Sequence, residues 1–152
     1  MTALPWKSSP ERRRLLAIYA ETDALLAPFS CDASTECCQF GVTGREPYPT
    51  AVELAEIEFA IASIGGRRAI ERSRTLPVVD TARRCPLLSG EGRCRIYASR
   101  PFGCRTFFCD RATGPGKIPR QAIQQRSGEI ATLSAQYAPR NPHARPLTHA
   151  LK

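Results

Sequence analysis

The chain has 152 residues, a formal net charge of +8 and seven cysteines, and 42% of its residues are hydrophobic. This length favours a single domain, and 13 prolines with 10 glycines indicate a modest hydrophobic core. No segment approaches the roughly 18 consecutive apolar residues of a membrane span, and residues 1–10 lack the apolar stretch of a secretory signal. We therefore expect a cytoplasmic protein without membrane contact. In that reducing compartment, clustered cysteines bind metal more often than they form disulfides.

A first helix is predicted from Ser9 to Ala27. Ser9 can cap it, Pro10 suits its first turn, and Pro28 ends it. Apolar residues recur at helical spacing along this stretch, namely Leu15, Ile18, Tyr19, Leu25 and Leu26. The pattern is typical of a helix that turns one face to a protein core.

Two further helices are predicted. One begins at Thr50, where Thr50 and Glu53 match a capping box, and ends at Gly65 and Gly66. Its apolar stripe consists of Leu54, Ile57, Ile61 and Ile64. The other covers residues 118–138, although a central glycine weakens it. Its apolar side consists of Ile123, Ile130, Leu133 and Tyr137.

The rest of the chain is predicted to be less regular. Residues 67–74 favour a broken helix and residues 76–79 an extended segment, while prolines and glycines make loops of residues 85–109. We expect one metal-binding domain over residues 1–138 and a flexible tail over residues 139–152. The predicted fold is mainly α, with about three helices around an irregular, loop-rich cysteine-metal centre.

The seven cysteines form two groups, separated by the second predicted helix. The first group is Cys31, Cys37 and Cys38, and the second is Cys85, Cys94, Cys104 and Cys109. Neither group has the paired CxxC knuckles of a zinc ribbon. Adjacent side chains on an extended backbone point to opposite sides, so Cys37 and Cys38 would serve two centres, or one centre and a position just outside its ligands. This favours a two-site or polynuclear centre. We predict that all seven cysteines bind metal as thiolates.

Both cysteine groups lie in longer motifs. Residues 31–38 read CDASTECC; further on, Cys85 is followed by proline, and residues 94–105 read CRIYASRPFGCR before Cys109. These residues resemble the YkgJ-like family of bacterial cysteine-cluster proteins, described as zinc- or iron-chelating. The family pattern is CxxCxxCC, then a cysteine followed by proline, then C-x-I-Y-x-x-R-P-x-x-C-R and a final cysteine. The resemblance covers residues 31–109 and implies a metal-binding domain with these cysteines as ligands.

Ser34 departs from the family pattern, because it stands where the pattern has its second cysteine. A serine hydroxyl is a poor ligand for soft metals, so eight expected thiolates become seven. We favour a lost ligand at this position. The alternatives are an oxygen ligand from Asp32, Glu36 or Ser34 itself, a shared thiolate, or an open coordination position for water or substrate.

The motif leaves the metal open, since thiolates suit both zinc and iron–sulfur clusters. Zinc is slightly favoured, because a structural ion would explain how the proline-rich middle folds. The alternative is iron or a [4Fe-4S] cluster, and the proline after Cys85 is compatible with it. Within the motif, Arg100 and Arg105 are predicted to donate hydrogen bonds to the sulfurs, with Tyr97 packed beside them.

Three functions follow from these observations. The first is a metal-binding protein with a structural, storage, delivery or sensing role, which requires metal ions and leaves a protein partner open. The second is an iron–sulfur-dependent modifying enzyme or accessory, since the cysteine cluster resembles that of flagellin lysine-N-methylases. Against it stand the small size of the chain and the lack of a GxGxxG loop, of a Ser/His/Asp set within the part expected to be ordered, and of plausible paired carboxylates. The third is a metal-stapled basic module that binds nucleic acid, with Tyr97, Phe102, Phe107 and Phe108 as stacking residues. We favour the first function, without nucleic acid as a partner and without catalysis.

Overall fold

A computed structural model describes residues 5–29, 46–72, 85–89, 93–106 and 119–151. In these ranges the helices are α1 (Pro10–Leu26), α2 (Ala51–Ser63), α3 (Arg67–Arg72), α4 (Phe102–Arg105), α5 (Arg120–Tyr137) and α6 (Leu147–Ala150). Two 3-10 turns, Trp6–Ser8 and Tyr97–Ser99, precede α1 and α4. The prediction of a mainly helical fold is confirmed. The predicted extended segment at residues 76–79 lies outside the described residues.

Helix α1 begins and ends where its local signals predicted. The Ser9 hydroxyl accepts a hydrogen bond from the Arg12 backbone N–H at 3.1 Å, and Pro10 occupies the first turn. The last helical residue is Leu26, two positions before Pro28. The buried face of the helix carries Leu15, Ile18, Tyr19, Thr22 and Leu26.

Helix α2 is fixed at both ends by hydrogen bonds. At its start, Thr50 and Glu53 form a capping box, as predicted. At its end, the Gly66 N–H donates to the Ile61 carbonyl at 2.9 Å and the Gly65 N–H to the Ala62 carbonyl. The backbone angle φ is 107° at Gly65 and 80° at Gly66. This is a Schellman motif, which favours glycine because both residues adopt positive φ.

Helices α1, α2 and α5 pack together around one apolar cluster, which we call the three-helix core. Its buried members are Leu15, Ile18, Tyr19, Val52, Ile130 and Leu133, with Trp6, Leu16 and Phe102 packed at its edge. Phe102 belongs to the cysteine motif, so the three-helix core also supports α4. Tyr137, predicted on the apolar side of α5, is 41% exposed and contacts the Trp6 ring edge-on.

A second apolar cluster, the loop core, joins α2 and α3 to the cysteine motif. Its buried members are Leu54, Ile57, Ile61, Ile70, Cys85, Leu87, Ile96 and Leu147. Helix α2 contributes to both cores from different sides, which explains why its buried residues extend beyond the single predicted stripe. Ile64, the last predicted stripe residue, is 40% exposed because the helix ends beside it.

The C-terminal segment, expected to be a flexible tail, is docked on the body of the protein. Leu147 is 1% exposed in the loop core, and its N–H donates to the Pro47 carbonyl at 3.0 Å. The Thr148 N–H donates to a Glu46 carboxylate oxygen, also at 3.0 Å. Residues 142–151 therefore form a strap across the start of α2, and the strap includes α6.

No helix in the described part of the chain combines the length and the apolar character needed to cross a bilayer.

Candidate metal centre

Cys85 and Cys94 lie close together in the fold because a short hairpin pairs their segments. Leu88 and Cys94 form an antiparallel bridge, and the Arg95 N–H donates to the Leu87 carbonyl at 2.9 Å. The Cys85 side chain is buried in the loop core, and half-buried Cys94 packs against the same core. The two thiols therefore share apolar surroundings. Sulfur donors in such surroundings suit zinc or iron better than hard cations.

Cys104 lies on α4. This helix contacts one residue that precedes the first cysteine group in the sequence and one that follows it. A Cβ atom at Gly103 would lie 3.2 Å from the Cβ of Pro47, so glycine permits this close approach. On the other side, an Arg105 Nη1 donates to the Asp23 carboxylate at 2.6 Å. Asp23 belongs to α1, whereas Pro47 precedes α2. Helix α4 thus contacts residues that precede and follow the first cysteine group in the sequence.

Five of the residues predicted to act at the centre lie outside the described residues. They are Cys31, Ser34, Cys37, Cys38 and Cys109. Within the described ranges, no three cysteine, histidine or carboxylate side chains gather in an arrangement that could hold a metal ion. The predicted sharing of one centre by both cysteine groups, and the effect of Ser34, stay predictions.

The Arg105 guanidinium contacts two backbone carbonyls, a carboxylate and an aromatic ring. Its guanidinium donates to the carbonyls of Arg100 at 2.9 Å and Ala98 at 2.6 Å, besides its ion pair with Asp23. It also lies over the Tyr19 ring, 4.1 Å from the centroid. These contacts close the loop before α4 and attach it to α1. The predicted hydrogen bond from Arg105 to a sulfur stays a prediction.

Tyr97 and Arg100 contact each other on the surface of the motif. The Arg100 guanidinium lies 3.9 Å from the centroid of the Tyr97 ring, and its Nε donates to the Tyr97 carbonyl at 3.0 Å. Tyr97 is 63% exposed. The two side chains therefore stack on each other, and their predicted role beside the sulfurs stays a prediction.

Glu53 on α2 connects the cysteine motif to α1 and α2. The sequence did not predict this connection. Its carboxylate is buried and accepts from the Phe102 N–H at 2.7 Å and the Tyr19 hydroxyl at 3.0 Å. Its other oxygen accepts from the N–H and hydroxyl of Thr50 at 2.9 and 3.2 Å. The sequence identified Glu53 only as a cap. The Phe102 N–H belongs to the first residue of α4 and has no partner within that helix.

Glu56 is a second buried carboxylate, one turn further along α2 and 1% exposed. One oxygen accepts from Trp6 Nε1 and Arg12 Nε, each at 2.8 Å. The other accepts from Arg12 Nη2 at 3.2 Å and from the Ser99 hydroxyl at 3.0 Å. Its spacing of three residues from Glu53 places both carboxylates on one helix face. This spacing is the one feature of the sequence that indicates that Glu53 and Glu56 lie side by side.

The buried carboxylates also affect Tyr19. Burial raises the pKa of the Tyr19 hydroxyl well above its ordinary value, and the neighbouring negative charge and hydrogen bond of Glu53 raise it further. The nearby Arg105 guanidinium acts in the opposite direction. The hydroxyl therefore stays protonated and donates to Glu53 at neutral pH.

Comparison with known proteins connects this arrangement to a family. Residues 30–127, well over half of the chain, match the CxxCxxCC family, described as "Putative zinc- or iron-chelating domain". The match includes all seven cysteines, α2 and α4. Searches of curated proteins and of solved structures gave no match. The apolar setting of Cys85 and Cys94 and the extent of the family match both support a metal-binding role. The chain belongs to the CxxCxxCC family of zinc- or iron-chelating domains.

Proposed function

We propose that this cytoplasmic protein holds zinc or iron through the thiolates of its two cysteine groups, in a structural role or in metal handling or sensing. Zinc is favoured over iron or a [4Fe-4S] cluster. The observation that carries the proposal is the position of α4. This helix bears Cys104 and contacts Asp23 and Pro47, which flank the segment with the first cysteine group.

The chain path supports a centre near α4 that draws on both groups. In the sequence, residues 30–45 connect the end of α1 to Glu46 and Pro47. Cys109 follows α4 by only a few residues, and Cys94 precedes it on the hairpin. The short connection from Cys104 to Cys109 limits the distance between these two cysteines to about 18 Å, because each residue spans at most about 3.6 Å.

Arginine is abundant in the sequence around the motif. Arginines flank the described cysteines in sequence at Arg93, Arg95 and Arg105, and Arg100 lies on the surface beside Tyr97. Nearby guanidinium groups favour the deprotonated form of a cysteine, which is the form that binds metal. A metal–thiolate centre would account for the excess of arginine in this chain, and the proposal therefore includes no nucleic-acid partner.

The first test is metal analysis of protein purified without oxygen, combined with visible absorption. The proposal predicts bound zinc or iron, and colourless protein with stoichiometric zinc would identify the favoured metal. A brown protein whose absorption bleaches on reduction would identify an iron–sulfur cluster instead. Protein that is folded, reduced and free of both metals would contradict the proposal.

The second test assigns the ligands by substitution. Cys38→Ser and Cys104→Ser should each lower the metal content, one variant for each cysteine group. Leu133→Ala is the matched control, since it weakens the three-helix core, which contains no cysteine. Full metal loading in both cysteine variants would contradict a shared centre. Equal losses in Leu133→Ala would show that metal content follows stability and not the thiolates.

A further inference from the structure

Residues 94–105 of the cysteine motif are attached to α1 and α2 by side-chain contacts, two of which involve the buried carboxylates of Glu53 and Glu56. Ser99 donates to Glu56 at 3.0 Å, the Phe102 N–H donates to Glu53 at 2.7 Å, and Arg105 pairs with Asp23. The first two contacts come from one face of α2 and the third from α1. Each contact attaches a different point of residues 96–105 to a long helix.

We propose that Glu53 and Glu56 are positioning residues for the metal centre, which hold residues 96–105 in place so that Cys104 is preorganised for metal. The inference rests on the proposed function. Neither glutamate is assigned as a ligand, because all four described hydrogen bonds of each carboxylate come from protein donors.

The identity of these side chains supports a positioning role over a purely stabilising one. A buried carboxylate loses its hydration, and apolar side chains of similar size often stabilise a core as well or better. Carboxylates differ from apolar groups in fixing the direction of each donor. Glu53 is directed at a backbone N–H of α4, so it fixes the main chain two residues before Cys104 whatever side chain Phe102 carries.

Preorganisation has a direct effect on metal affinity. If residues 96–105 are ordered before the metal arrives, none of the binding free energy is used to order them. If the segment is ordered in only a fraction of molecules, the apparent affinity falls by that fraction. Weakening the contacts to α2 should therefore weaken metal binding even though every thiol remains.

Ser99→Ala is the variant that tests this most cleanly. It removes only the hydroxyl that joins the motif to Glu56, and it leaves the Arg12 ion pair intact. Ser134→Ala is the matched control, since it also removes a serine hydroxyl. That hydroxyl accepts from the Val52 N–H and donates to the Pro142 carbonyl, and Ser134 is remote from the cysteine motif in the sequence. Glu53→Gln is a stronger second variant, because an amide nitrogen would face some of the four donors.

The experiment is a titration of cobalt(II) into metal-free, reduced protein, followed by thiolate-to-metal absorption, with helical circular dichroism on the same samples. We expect Ser99→Ala to raise the Kd for cobalt roughly threefold to tenfold and Glu53→Gln by at least about tenfold, with Ser134→Ala close to wild type. Ser99→Ala should retain the helical signal. If Glu53→Gln fails to fold, Ser99→Ala decides the question.

Two results would overturn the inference separately from the proposed function. One is wild-type cobalt affinity in folded Ser99→Ala. The other is an equal loss of cobalt affinity in Ser134→Ala, which would show that the weaker binding follows from a lower overall stability of the protein. By contrast, a wild-type protein that binds no cobalt through thiolates would overturn the proposed function, and the inference with it.

Discussion

Replacing Glu56 with glutamine should destabilise the protein strongly, because it removes a charge that is buried and fully hydrogen-bonded. The carboxylate accepts from Trp6, Arg12 and Ser99, and Arg12 contacts both oxygens. Removing one partner of a buried ion pair costs about 3–5 kcal/mol. The Arg12 side chain is 21% exposed, so water recovers part of the lost interaction. We therefore expect a loss near the lower limit, about 3 kcal/mol.

The assay is urea unfolding of metal-free protein, followed by helical circular dichroism, with thermal unfolding as a second measurement. A loss of this size should lower the Tm by roughly 6–12 °C in a chain of this length. Glu129→Gln is the control, since Glu129 pairs with Arg14 and Arg126 at the surface. Its loss should cost no more than about 0.5 kcal/mol after screening. Equal free energies of unfolding for the two variants would refute the assigned role of Glu56.

The remaining predictions concern single contacts. Tyr19→Phe should cost about 1.5 kcal/mol at pH 7, where the hydroxyl donates to a carboxylate. Because burial and that carboxylate raise the pKa of Tyr19, the stabilisation is complete below the ordinary tyrosine pKa of about 10 and is lost as pH rises above it. The difference between variant and wild type in urea unfolding should therefore shrink by about 1.4 kcal/mol per pH unit above that value, and a constant difference would contradict this. Leu147→Ala should cost about 3 kcal/mol in the same assay, because the side chain is buried in the loop core; a loss below about 1 kcal/mol would show that the strap is not docked in solution. Gly103→Ala should destabilise by about 1 kcal/mol through its contact with Pro47, whereas Gly128→Ala, whose added Cβ would meet nothing within 4 Å, should stabilise α5 by roughly 0.5–1 kcal/mol. Equal effects of the two glycine substitutions would contradict the close approach at α4.

The helices could be predicted because their signals are local. The Ser9 hydroxyl accepts from a backbone N–H three residues away. Gly65 and Gly66 donate to carbonyls in the last turn of α2, three and five residues away. Such contacts depend only on nearby residues, so their sequence pattern is sufficient. The cysteine motif could be recognised for a similar reason, as a run of specific residues in fixed order.

The parts that were missed depend on contacts between distant residues. Glu56 is 44 positions from Arg12 and 43 from Ser99, and neither spacing leaves a periodic pattern. Glu53 was predicted only as a helix cap, and nothing in the sequence around Glu56 predicts that its carboxylate is buried. Leu147 was missed because one leucine among prolines and polar residues carries no helical period. Its burial depends on the loop core, which is assembled from separate parts of the chain.

The structure also shows how parts outside the family match support the matched domain. The match covers residues 30–127, whereas Tyr19 and Arg12 on α1 and Leu147 in the strap lie outside it. Tyr19 and Arg12 donate to the two buried glutamates, and Leu147 completes the loop core. We infer that the cysteine-bearing part depends on both flanks for its burial.

X-ray absorption at the edge of the bound metal tests the central claim most directly, because it identifies the element and its ligand atoms together. The account predicts a first shell made of sulfur, at about 2.3 Å if the metal is zinc. Cys104→Ser should reduce the sulfur contribution, whereas Leu133→Ala should leave it unchanged. A first shell made of nitrogen and oxygen, or folded reduced protein with neither zinc nor iron, would contradict the thiolate centre.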